Sequence, residues 1–132
     1  LAKLAVYALL LDFGFVYIYP IIYMVLISLM PKSVTSAIGA PLSELFGGMG
    51  AVTTAAIIFS GIFANMLGIS FCKLFRITDP VAQGVAFGTA GHVIATTKAN
   101  EISPLVGAVS SLSLVVAGLL TAVLFPMLTA LL

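Results

Sequence analysis

Nine charged residues divide the chain into uncharged stretches whose length constrains what it can fold into. Residues 13–31, 45–72, 80–97 and 102–132 run for 19, 28, 18 and 31 residues without Asp, Glu, Lys or Arg. A helix needs about 20 mostly apolar residues to cross the hydrocarbon of a bilayer. Two stretches are ample and two stand at the limit. Soluble domains carry roughly a quarter charged residues, whereas here 7% are charged, 62% are hydrophobic and the mean hydropathy is +1.31. A water-soluble globule of this size would leave large apolar patches exposed. The sequence therefore predicts an all-α, polytopic transmembrane protein, with residues 1–132 forming a single transmembrane domain. The first residue is Leu rather than Met, so a longer natural chain is expected.

The two ample stretches read as ordinary membrane helices near residues 49–72 and 105–128. Gly47 and Gly48 precede the first, and Pro104 stands near the start of the second. The other two carry prolines, glycines and small polar residues: MPKSVTSAIG at residues 30–39 and GTAGHVIATTKA at 88–99. These are expected to be broken or re-entrant helices. Lys73, Arg76 and Asp79 mark a short loop, which the excess of positive charge in cytoplasmic loops assigns to that side. Near the start of the chain Tyr7, Tyr17, Tyr19 and Tyr23 suggest an interface belt. The expectation there is a helix end at 4–11, a bend at 12–14 and a helix from about 21 to 30.

An internal repeat of about 57 residues aligns Glu44 with Glu101, Gly50 with Gly107, Gly61 with Gly118, and the break at Pro31 with Gly88. Paired glutamates carry weight in a chain with four acidic residues. The repeat units, about 21–75 and 78–132, each read as half-helix, break, half-helix, long helix. If the broken segments are hairpins, each unit crosses the membrane once and the copies are inverted. If they cross fully, each unit crosses twice and the copies are parallel. The inverted arrangement is favoured.

Many secondary transporters are duplicated units whose discontinuous helices meet at the midplane. Breaking a helix in lipid frees backbone dipoles, which survive only where protein or a wet cavity covers them. The amides at a half-helix N-terminus suit a carboxylate. Candidate ligands for a small organic anion are Lys32, Ser33, Thr35 and Ser36 at the first break, and Thr89, His92, Thr96, Thr97 and Lys98 around the second. Each has a duller alternative. Membrane Ser and Thr commonly bond their own or a neighbouring helix, and His92 can do the same. Lys98 can pair with Glu101 on the same helix face, Lys32 can reach the headgroups, and Gly84 with Gly88 fits close helix packing better than a phosphate loop.

Several classes are excluded. Five scattered basic residues give no nucleic-acid patch. One His, one Cys and four dispersed carboxylates give no metal spacing and no nucleophile–base pair, so neither an enzyme nor a cofactor or metal site is expected. Cys72 reads as a small buried hydrophobe.

PKSVTSAIG at residues 31–39, GTAGHVIATTKA at 88–99 and the linking FRITDPVAQGVAFGTAGH at 75–92 resemble the signature stretches of the LrgB/CidB membrane proteins. The resemblance covers about residues 30–127 and does not extend over 1–29. Gly91 stands where the family pattern has Ser. It implies a multi-pass protein of the bacterial inner membrane and two competing functions. One is antiholin-like control of murein hydrolase activity and lysis, with a small holin-like partner of the LrgA/CidA type in a homo- or hetero-oligomer. The other is transport of small monocarboxylates such as pyruvate or glycolate, as in the related plastid glycolate/glycerate translocator. The broken helices favour transport.

Overall fold

The computed structural model describes residues 2–131, and these form five helices with no strand among them. They are α1 (Ala2–Leu29), α2 (Ser36–Leu45), α3 (Gly50–Leu74), α4 (Pro80–Ile102) and α5 (Pro104–Thr129). Three segments are long and apolar enough to cross a membrane: Val6–Leu29, Gly50–Leu74 and Pro104–Thr129. Most large apolar side chains on these helices are exposed, the pattern expected where lipid is the solvent.

The two ordinary helices fall where the sequence places them. The start of the chain does not: α1 is one continuous helix through Asp12, Gly14 and Pro20, with no bend at 12–14. Glycine in a helix costs only about 1 kcal/mol relative to alanine, less than stranding several backbone groups in lipid. Rings one helical turn apart stack along α1, Phe15 on Tyr19 and Tyr19 on Tyr23, at 5.5 and 6.4 Å between centroids. Only its last turns pack on the rest of the chain, where Ile27 and Ser28 are buried.

Helix ends follow local chemistry. The turn after α2 places Gly47 at φ 87°, with Gly48 N bonded to Ser43 O and Gly47 N to Glu44 O, a glycine-terminated helix end. The end of α3 repeats the pattern with Arg76 at φ 54°, Ile77 N bonded to Cys72 O and Arg76 N to Lys73 O. Asp79 caps α4 by accepting from Val81 N at 3.0 Å, and Ser103 caps α5 by accepting from Val106 N at 3.2 Å. Proline follows each cap at the first helical position, where its missing N–H is not needed.

Within α4, His92 has φ 40° and ψ −135°, far from helical values. The sequence puts the second break at Gly88, aligned with Pro31. The structure carries helix through Gly88 and breaks at His92, which the same offset aligns with Thr35. Packing partners on both sides of His92 show what this does. Before it, Gly84 lies against Val106 and Val109 of α5, and Gly88 against Ser110 and Ser113, so the two helices advance together. After it, Thr96 meets Ser110 and Asn100 meets Gly107, so they run oppositely. Along α3, Phe87 meets Gly68, Gly91 meets Ala64 and His92 meets Gly61, after which Ile94 still contacts Gly61 and Thr97 reaches Asn65. The chain therefore turns back at His92, and α4 is a helical hairpin. Its arms, residues 80–91 and 93–102, span about 18 and 15 Å at 1.5 Å per residue, roughly half the hydrocarbon thickness each.

A turn at residues 30–35 separates α1 from α2. Gly39 packs on Pro31 O, Val34 and Ile57, and Glu44 lies against Gly50 at the start of α3. The helices after the two breaks, Ser36–Leu45 and residues 93–102, have the same length and end immediately after Glu44 and Glu101 respectively. Gly61 of α3 receives His92 and Ile94, and Gly118 of α5 receives Ile38 of α2.

Candidate functional site

The two breaks approach one another at the middle of α3. Ser60 Oγ lies 2.9 Å from Ile57 O in its own helix, 3.4 Å from the Lys32 carbonyl of the first break and 3.5 Å from His92 Nε2 of the second. The last two distances are at the outer limit of hydrogen bonding, and the single hydroxyl proton serves Ile57 O best. Glycine at position 61 makes this approach possible: a Cβ there would stand 2.8 Å from His92 Cε1 and 2.8 Å from Ile94 Cδ1.

His92 is buried, and its Nε2 lies 2.9 Å from Ile57 O. A carbonyl only accepts, so Nε2 carries the proton in this arrangement. The His92 carbonyl accepts from Thr96 Oγ1 at 2.8 Å, a back-bond one helical turn long, and Thr96 Oγ1 lies 2.7 Å from Ser110 Oγ on α5. With Thr96 donating to His92 O, Ser110 is the donor of the second bond. Asn65 Nδ2 donates to Ile94 O at 2.7 Å and to Thr97 Oγ1 at 3.2 Å. The Ile57 carbonyl and Asn65 of α3 and Ser110 of α5 thus bond to residues at and just after the interruption.

The other predicted residues are arranged less uniformly. Thr35 caps α2 through its extended backbone, without a side-chain bond, and its carbonyl accepts from Ile38 N and Gly39 N. Lys32, Ser33 and Ser36 are exposed beside it. Thr89 is exposed, bonds Val85 O in its own helix at 2.7 Å and takes no part in the meeting point. Lys98 pairs with Glu101 at 2.5 Å, the duller of its two readings. Gly84 and Gly88 pack on α5, as their spacing suggests. Cys72 is buried among apolar neighbours.

Four participants are missing from the sequence-based set: Ser60, Asn65, Ser110 and the Ile57 carbonyl. Asn65 was the most accessible to sequence reasoning, as a lone amide inside an uncharged stretch. Ser60 and Ser110 look like any membrane serine until the breaks are placed beside them. Among the described residues no group of three His, Cys, Asp or Glu could hold a metal ion.

Chemically, the meeting point offers the N-termini of two short helices, α2 and residues 93–102, with hydroxyls of Thr35, Ser36 and Ser60 and one imidazole nearby. That set can hydrogen-bond a small anion.

Comparison with known proteins gives a consistent picture. The family model described as LrgB-like family matches residues 2–131. It therefore takes in the start of the chain, which the signature motifs do not reach. The antiholin-like protein LrgB of Bacillus mycoides (strain KBAB4) is 39% identical over 100 residues, covering 76% of this chain and 44% of that protein. The chain thus spans less than half the length of that relative. No solved structure matches. A family match over nearly the whole chain, on a helical membrane architecture with both signature stretches at its breaks, means that this chain belongs to the LrgB-like family.

Proposed function

We propose that the chain acts as an antiholin-like membrane protein of the bacterial inner membrane, restraining murein hydrolase activity and lysis together with a small holin-like membrane partner. The observation that carries this reading is the 39% identity to a protein named antiholin-like.

A second reading, transport of a small monocarboxylate such as pyruvate or glycolate, is favoured by a separate observation, the convergence of Lys32 and His92 on Ser60. In this reading residues 21–75 and 78–132 are inverted repeats, each with a re-entrant hairpin entering from opposite membrane faces. The shared length of the helices after each break, and their equivalent positions in the two units, support that arrangement. The anion binds between the tips, on the amides that open α2 and residue 93 onward, with Ser33, Thr35, Ser36, Thr96 and Thr97 supplying hydroxyls. Lys32 or His92 balances its charge. Thr89 and Lys98 lie further out on this reading.

One experiment separates the two. Thr35→Ala, His92→Ala, Gly84→Leu and Gly88→Leu are compared for lysis control in cells and for uptake of labelled pyruvate or glycolate into liposomes holding the protein and its partner. Regulation by assembly expects the Thr35 and His92 variants to keep lysis control and the glycine variants to lose it. Loss of lysis control in the Thr35 and His92 variants, in parallel with loss of uptake, would overturn it. Uptake no greater than in empty liposomes removes the transport reading.

A further inference from the structure

A cavity of about 530 Å³ lies at the foot of the α4 hairpin, away from the meeting point of the breaks. Its walls include Ile69, Ile77 and Ile102, and Lys73 and Arg76 stand at its edge with Gln83. The segment Gly50–Leu74, which is long and apolar enough to span the membrane, ends here, so the cavity sits where hydrocarbon gives way to headgroups. Both cations are exposed, and among the described residues neither has an ion-pair partner. The nearest carboxylate in sequence, Asp79, is engaged in capping α4 through Val81 N. Part of this positive charge complements the C-terminal end of α3. That effect needs no cavity and does not need Arg76 at φ 54°, a left-handed position that glycine fills at lower cost.

We propose that this cavity binds a phosphate-bearing anion, with Lys73 and Arg76 on the phosphate, and that the anion is the headgroup of an acidic phospholipid whose chains lie along the apolar wall. An apolar wall joined to two free cations at the membrane boundary matches an amphiphile better than a free ion. Basic pockets between membrane helices bind acidic headgroups by this combination. The bound lipid touches both feet of the hairpin, since Gln83 lies near the start of α4 and Ile102 ends it, while Gln83 also holds the loop by donating to Ile77 O at 2.7 Å. The site is independent of which reading of the function holds.

The test uses the membrane protein purified in neutral detergent, with phosphatidylglycerol titrated in and binding read by native mass spectrometry. Lys73→Gln and Arg76→Gln should each weaken binding about fivefold and the double variant roughly thirtyfold, from the usual contribution of a basic residue near an anionic surface. Lys98→Gln, at a lysine already held by Glu101, should leave binding within twofold. Thermal unfolding followed by circular dichroism identifies any variant that loses its fold, and charge-retaining Lys73→Arg should then restore binding. Equal losses for all three lysine and arginine variants, or no loss for the double variant, would overturn the proposal. Phosphatidylcholine should not compete. If inorganic phosphate displaces the lipid at comparable concentration, the lipid source is wrong and the ligand is a free phosphate.

Discussion

The hydroxyl chain one turn after the break at His92 makes a quantitative prediction. Thr96 Oγ1 serves two partners, the His92 carbonyl at 2.8 Å and Ser110 Oγ at 2.7 Å, and Ser110 is fully buried. Thr96→Val keeps the side-chain shape but strands the Ser110 hydroxyl. A buried group left without a partner costs about 1–3 kcal/mol, so this variant should lose stability near the middle of that range. Ser110→Ala removes one donor while Thr96 still bonds His92 O, so it should cost about 1 kcal/mol or less. Hydrogen-bond couplings measured between membrane helices average about 0.6 kcal/mol and reach about 1.7. The pair should fall in that interval, toward its top because among the described residues neither hydroxyl has a further partner on a different helix. The measurement is a double-mutant cycle on Thr96→Val and Ser110→Ala, by reversible unfolding in mixed micelles of dodecylsulfate and a mild detergent. A Ser110→Ala loss as large as that of Thr96→Val, or a coupling indistinguishable from zero, would refute the assignment of Thr96 as the residue that ties this part of α4 to α5.

Two further predictions concern helix contacts and caps. At Gly88 a Cβ would run into the Ser110 carbonyl oxygen and come within 3.0 Å of Ser113 Cβ, and backbone cannot rotate away. Gly88→Ala should therefore destabilise by about 1 kcal/mol after its helix-propensity gain is counted. Gly14→Ala, with nothing within 4 Å, should instead stabilise α1 by up to about 1 kcal/mol. The sign difference is read in the same unfolding assay. Asp79→Ala removes the side-chain cap on α4 and should cost about 1 kcal/mol, with faster hydrogen exchange at the Val81 and Ala82 amides. Unchanged exchange at those amides would show that the cap does not hold the helix start.

The membrane assignment and the ordinary helices were legible because they rest on composition summed over long windows, where no single contact matters. The caps at Asp79 and Ser103, each followed by proline, were equally open to reading, since they depend only on near neighbours in the chain. The place of the second break was not. Gly88 looks like the breaker because glycine is the common one, yet its missing side chain is used for close approach to α5. The backbone turns at His92, whose ring is held by the Ile57 carbonyl of α3, far away in the chain. The expected bend at Asp12–Gly14 failed for the opposite reason, because a helix with few neighbours keeps its internal bonds.

Sequence by itself determined that this chain lives in lipid, that it is helical, and that two segments rich in small polar residues interrupt it. Those properties follow from the transfer of side chains out of water and from backbone groups that must be satisfied where water is absent. Only the tertiary structure decided that α4 doubles back and that both interruptions approach Ser60. The direction of a chain after a break depends on which distant groups donate to its carbonyls and accept from its amides and side chains, and local sequence does not encode those partners.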